Sequence, residues 1–356
     1  MPEAERQTSI DALRGLAVLL MVMVHAAATW TPANASELTL LATVVSGFGG
    51  LAAPLFVTLF GWGLLQRSRT WSERWRQAAF LFLCQVGVNL SAPHLFQPFT
   101  PGVLSLMGLM ILSEPLWAAP WRTGRTPFNV FLIVAATMLV FLWFAEPLQG
   151  PSNWDARVET ATAFDVVSHL LLTGTYPLLP WVLFGAFGAT IALHPGRRPL
   201  VFTFAVGMGI SAVVLFLALS TNTPWALPTG EAALTFFPAN GPFLIAALTG
   251  VSLLWLLVDG RTWMNGLAGA GRCSLTLYVA HFLPLFWLHT LDEQGSWTLN
   301  LSMAVTVVYT ATWMVVGTFW WKRRPQWTLE AAWRRWSRRS SSPLHEQVVR
   351  VEGVER

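Results

Sequence analysis

The feature that most constrains this chain is a succession of apolar runs, each about 20 residues long, that recurs over most of its 356 residues. A bilayer core roughly 30 Å thick selects helices of that length. The runs lie near 10–30, 44–66, 77–93, 102–119, 127–146, 176–194, 199–220, 240–258, 270–290 and 298–321, and they predict an all-α, polytopic membrane helix bundle of about ten spans. Only 11% of the residues are charged, against roughly 25% in a soluble domain, so a soluble globular protein is excluded. The 20 tryptophans suit the membrane interfaces.

Charge fixes an orientation. Of the 22 Lys and Arg residues, every one except Arg157 falls in one alternating set of loops and ends. Basic residues accumulate on the cytoplasmic side. The alternation therefore places both termini in the cytoplasm of a multi-pass protein of the cell inner membrane. It divides the chain into a cytoplasmic N-terminus (1–9), a ten-helix domain (10–321) and a basic, Trp-rich tail (322–356) that reads as an anchor to anionic membrane lipid. A net charge of +4 and a pI near 9.7 would suggest nucleic acid in a soluble protein. Here the basic residues sit between apolar runs, so no nucleic-acid partner is expected.

Residues 16–28 also resemble an export signal, with a short apolar stretch before a small-residue site. Glu3, Glu5 and Asp11 outnumber Arg6 and Arg14 in the leader, however, and a signal needs a positive one. The segment is therefore read as the first span. Cys84 and Cys273 lie in or beside apolar runs without C-x-x-C spacing, so neither a disulfide framework nor a metal site is expected. In the outward loop 147–175, Val158, Ala161, Phe164 and Val167 recur at helical spacing and predict a surface helix.

An ionisable side chain at membrane depth costs a few kcal/mol, so each one calls for a partner or a function. Asp11, Arg14 and His25 share one face of the first helix, because 11 residues at about 100° each return close to the starting direction. Asp11 and Arg14 read either as an ion pair anchoring the helix end or as part of a site. His25, some 21 Å beyond Asp11 at about 1.5 Å per residue, reads either as an interfacial histidine or as a catalytic one. Ser274, Tyr278 and His281 form a second stripe, spaced by four and three, with His281 near the midplane. Packing and catalysis are both open for His281. His94, His169 and His289 lie toward the outer side, and the first two could line a site there. The glycines at 47, 49, 50, 61 and 63 suggest close helix packing rather than a nucleotide loop.

Four of these segments resemble a known family. SIDALRGLAVLLMVMVH, residues 9–25, is similar to the opening of the bacterial heparan-alpha-glucosaminide N-acetyltransferase-like proteins, with their D-x-x-R-G signature. More distantly it resembles the acyltransferase-3 proteins, which carry an early Arg and a later His in that helix. APLFVTLFGWGLLQRS, GTYPLLPWVLFGAFGA and GRCSLTLYVAH resemble later segments in the same order, and RRPQWTLEAAWRR echoes a G-P-x-E-x-x-x-R ending without its glycine. The resemblance implies a membrane acyltransferase, acting on acyl groups other than aminoacyl groups. It implies a cytoplasmic acetyl-CoA or other acyl-CoA donor and a sugar or glycan acceptor at or beyond the membrane. It carries over Asp11, Arg14 and His25, together with Ser274, Tyr278 and His281. The animal enzyme has its functional histidine in the first outward loop, where residues 31–43 here hold none, so His25, at the acyltransferase-3-like position, is the better candidate.

The chemistry agrees with that map. A hydroxyl or amine attacking a thioester needs a base near neutrality, which histidine supplies. Arg14, Arg67 and Arg69 are the expected contacts for coenzyme A phosphates. Asp11, Ser274 and Tyr278 would support the site. The competing class is a small-molecule transporter or flippase whose intramembrane His and Arg residues bind substrate or relay protons.

Overall fold

The computed structural model describes residues 8–30, 32, 39–123, 125–194, 196–292 and 297–339. The N-terminal residues before Thr8 and the tail beyond 339, both expected in the cytoplasm, lie outside the described residues. The chain forms a helical bundle. Helices α1 (Thr8–Trp30), α2 (Leu40–Leu64), α3 (Trp71–Ser91), α4 (Val103–Trp117) and α5 (Pro127–Ala145) precede two short ones, α6 (Asp155–Val158) and α7 (Ala163–Ser168). Then come α8 (Leu178–Leu193), α9 (Arg198–Ser220), α10 (Gly241–Val258), α11 (Ala268–Arg272), α12 (Ser274–Ala280), α13 (Phe282–Leu288), α14 (Leu299–Arg323) and α15 (Leu329–Arg339). Two-residue strands β1 (Ala226–Leu227) and β2 (Leu234–Thr235) pair in parallel between α9 and α10.

Among the described residues, seven helical stretches are long and apolar enough to cross a membrane: α1, α2, α5, α9, α10, the α12–α13 segment and α14. The stretch Ala163–Thr173 with α8, bent by 48°, makes an eighth. The expected ten also counted α3 and α4. Helix α3 opens on the polar run Ser72, Glu73, Arg74, Arg76 and Gln77, and α4 has only 15 residues, so neither qualifies alone. These two pack against each other. The expected continuous helix 270–290 is also broken at Cys273 (φ −122°, ψ 33°), between α11 and α12, while His281 marks the division between α12 and α13.

Helix α1 is central, packed against α2, α11 and α14 and largely buried. Helices α9 and α14 instead turn apolar residues such as Val213, Phe216, Val308 and Val315 outward, as lipid-facing helices do. The α1–α11 contact is backbone on backbone. A Cβ at Gly271 would lie 1.7 Å from Asp11 O, and one at Gly15 would lie 2.1 Å from Leu267 O. These are the glycines of the D-x-x-R-G and G-R-C-S-L-T segments, so part of what those motifs encode is this close approach. On α2, Gly61 likewise meets Gly185 of α8, whereas Gly47 and Gly50 face open space and serve no packing.

The loop 147–175 is not the surface helix expected from its spacing. The chain breaks between α6 and α7, so Val158 is buried while Phe164 and Val167 point outward. Its organiser is Arg157, which is 1% exposed and donates to the carbonyls of Gln149, Gly150, Thr173 and Gly174 at 3.0–3.3 Å. Burial pushes its pKa down to about 10.

Candidate functional site

The site begins with an ion-pair hub. Asp11 is fully buried on the first turn of α1; Arg272 Nε lies 3.0 Å from its Oδ2 and Arg14 Nη1 lies 3.5 Å from its Oδ1. A buried carboxylate is tolerated only when paired. This hub therefore fixes α1 against the end of α11 and sets the register of everything above it.

One consequence of that register is a histidine pair. His25 Nδ1 lies 2.9 Å from His281 Nε2, with the rings nearly parallel at 12°. The sequence put these residues at different depths, but the rise of one straight helix does not apply across the break at Cys273. The hydrogen-bond pattern assigns the protons. His281 Nδ1 sits 3.0 Å from Leu277 O, and a carbonyl only accepts, so Nδ1 carries the proton and donates. His281 Nε2 is then the acceptor, and His25 Nδ1–H donates to it. His25 is left with an unprotonated Nε2, the form a general base requires. His281 is completely buried and His25 is 8% exposed, so His25 is the member that can meet a substrate. A base oriented by a second group is the recurring logic of nucleophile activation.

The pair is firmly held. Tyr309 on α14 donates its hydroxyl to His281 O. Trp30 Nε1 donates to Leu288 O at 3.0 Å and its carbonyl accepts from Ser302, tying the far end of α1 to α13 and α14. Tyr278 packs edge-on against both rings, with centroids 6.0 Å from His25 and 5.8 Å from His281. Phe282, a neighbour of Tyr278, covers His25 at 4.6 Å, and an aromatic column continues through Phe96 to Trp154 in the loop 147–175.

Toward the charged end lies a cleft of about 330 Å³. Phe56 in its lining stacks on Tyr278 at 6.0 Å, and Tyr278 in turn packs on both histidines, so these two rings link the cleft to the pair. Arg14, Arg69, Arg334, Ser274 and Glu330 supply its polar lining. Arg69 donates to Leu64 O at 2.8 Å, Arg67 O at 3.3 Å and Gln77 Oε1 at 3.2 Å. Burial, then the Arg67 charge, lowers its pKa from the ordinary value, so a bound anion would relieve it.

Of the residues singled out from sequence, the structure brings Arg14, Arg69 and Ser274 to the cleft, joins His25, His281 and Tyr278 beside it, and puts Asp11 beneath them. Arg67 stays out: it is 57% exposed and reaches only Glu73, at 4.0 Å. His94 and His169, expected to line one site, have separate partners. His169 is bonded within its own loop to Thr173 Oγ1 and Glu159 O, while His94 stacks on His289 with centroids 4.8 Å apart. Among the described residues, no group of three or more His, Cys, Asp or Glu could hold a metal.

Sequence reasoning missed Tyr309, Glu330 and Arg334. The last two carried a signal, the E-x-x-x-R spacing of the tail, but its Arg and Trp content matched a lipid anchor equally well.

These features define a polytopic helical membrane protein with a buried histidine pair above an arginine-lined cleft. The acyltransferase-3 type of acyltransferase domain matches residues 7–321, nearly the whole chain, and the protein belongs to that family. Among curated proteins none matches the chain. Family membership makes it a membrane acyltransferase and does not favour the transporter alternative. The match goes to the family that the sequence resembled more distantly.

Proposed function

We propose that the protein transfers an acyl group, commonly acetyl, from a cytoplasmic acyl-CoA to a sugar or glycan acceptor at or beyond the membrane, as in heparan-alpha-glucosaminide N-acetyltransferase-like proteins. The observation that carries this reading is the histidine pair, with its free Nε2, next to a cleft lined by three arginines. The cleft suits a phosphate-bearing donor, since guanidinium groups bind phosphate bidentately. Its apolar depth, walled by Phe56, Leu104 and Met107, accepts the pantetheine arm and delivers the thioester toward Tyr278.

His25 Nε2 takes the proton from the acceptor O–H or N–H as the oxygen or nitrogen attacks the thioester carbonyl. The C–S bond then breaks, and the thiolate of coenzyme A leaves with the proton His25 has gained. His281 holds His25 in the required tautomer and shares the transient positive charge, while the aromatic column toward Trp154 offers flat faces to an acceptor on the outer side. Both termini and the cleft face the cytoplasm in this reading.

The test is acyl transfer and acyl-CoA hydrolysis by the purified protein against His25→Ala and His25→Gln. Both substitutions should abolish most turnover and retain donor binding, because the arginines lie at the other end of α1. Gln fills the space and hydrogen-bonds but cannot accept the proton at neutral pH. The wild-type rate should also fall as pH drops through the histidine range, where the base is lost. Near-wild-type turnover in His25→Gln would defeat the assignment.

A further inference from the structure

The family match ends at residue 321, yet the cleft is not complete there. Its remaining wall comes from α15, which begins eight residues later and contributes Glu330, Trp333 and Arg334. The contact is specific. Glu330 Oε1 accepts from Leu275 N at 2.7 Å and Thr276 N at 3.4 Å, and Oε2 accepts from Thr276 Oγ1 at 2.6 Å. Thr276 Oγ1 in turn accepts from Leu329 N at 2.8 Å, so α12 and α15 clasp each other in both directions. Trp333 and Trp336 pack on Phe80 of α3 at 5.5 and 6.0 Å, which pins the helix from its other side.

A lipid anchor has no use for this arrangement. Burial raises the pKa of Glu330, and three donated hydrogen bonds work against that rise. A carboxylate taken out of water needs such compensation. It is also a negative charge placed in the wall of a cleft whose other charged lining residues, Arg14, Arg69 and Arg334, are cations. For a site that binds an anion by charge alone, it is in the wrong place. Its hydrogen bonds give the reason: they hold the first turn of α12, which carries Tyr278 and leads to His281, and they fix α15 so that Arg334 lines the cleft together with Arg14 and Arg69.

We propose that α15 is the closing wall of the donor site, with Arg334 a direct contact for a donor phosphate and Glu330 a positioning residue that locks α15 to α12. This rests on the acyl-CoA reading of the cleft. It assigns binding to a segment outside the matched domain and gives Glu330 an effect opposite in sign to its charge.

The experiment measures coenzyme A affinity, with transfer kinetics, for the full-length protein in phosphatidylcholine nanodiscs, where no anionic headgroup competes. Arg334→Ala should weaken binding about tenfold and Arg334→Lys by much less. Glu330→Gln removes a negative charge beside the phosphates, so charge alone predicts tighter binding. The clasp predicts weaker binding, a raised KM with a smaller change in kcat, and faster hydrogen exchange at Leu275 and Thr276. Thr276→Val, which breaks the same clasp from the other side, should reproduce the effect and add little to Glu330→Gln. Wild-type or tighter binding in Glu330→Gln, or an unchanged affinity in Arg334→Ala, would overturn the proposal and leave the acyl-CoA reading standing. No coenzyme A binding by the wild type, or no loss in Arg14→Ala, would instead sink the acyl-CoA reading and this proposal with it.

Discussion

Replacing Gly271 by Ala tests the link between the two motif glycines, Gly15 and Gly271, and the histidine pair without any knowledge of substrate. The added Cβ would lie 1.7 Å from Asp11 O and 2.8 Å from Gly15 N. Both are backbone atoms and cannot swing aside, and a contact below 3.0 Å is not sustained. Helices α1 and α11 must therefore part by at least about 1.3 Å, the difference between those limits. Overpacking of this kind costs about 1–3 kcal/mol, and the upper end applies where no side chain can yield. Carried along α1, the same displacement would stretch the 2.9 Å His25–His281 contact beyond hydrogen-bond range. The control is Gly50→Ala on α2, where a Cβ meets nothing within 4 Å. Removing a glycine from a helix interior is worth about 0.5–1 kcal/mol of stabilisation. Thermal unfolding in one detergent, followed by tryptophan fluorescence, should place Gly271→Ala several degrees below wild type and Gly50→Ala at or above it. Equal shifts in the two variants, or a wild-type midpoint for Gly271→Ala, would refute the steric argument.

Two further outcomes are expected. Glu114, 1% exposed, takes Arg74 at 3.1 Å and Arg122 at 2.6 Å; Glu114→Gln leaves two cations short of their counter-charge and should cost about 3 kcal/mol, the lower end for a broken buried pair because Arg122 is half exposed, read as a drop in unfolding midpoint with no change of sign in high salt. For topology, Ser68→Cys should resist an impermeant thiol reagent in intact cells while Ala161→Cys reacts, and labelling at position 68 would reverse the assignment of sides.

How far the sequence could be read depended on whether the information was local. The face shared by Asp11, Arg14 and His25, and the stripe of Ser274, Tyr278 and His281, follow from helical periodicity within one segment, and the structure keeps both sets together. That the two stripes face each other is a property of packing between residues 256 apart, and periodicity is silent on it. Arg272 shows the limit from another side, since its role is set by Asp11 and not by its neighbours in the chain. Periodicity misled in the loop 147–175, where four apolar residues at helical spacing were separated by a break after α6. It was ambiguous in α15, where one pattern of Trp and Arg serves equally to lie on lipid or to wall a cleft. Hydropathy alone also could not separate α3 and α4 from the longer spans, because a short or half-polar helix can be sheltered by its partner.

The central position of α1 sets an order of events during synthesis. Asp11 and His25 emerge first, but Arg272 and His281, which neutralise one and orient the other, follow 261 and 256 residues later. At roughly 5–20 residues per second that interval is about 13–50 s. Throughout it the helix that will become the middle of the bundle sits with an acid and an imidazole on a face that has no final partner. The His25–His281 contact, and with it the proton arrangement of the pair, cannot form until the chain has been made past residue 281.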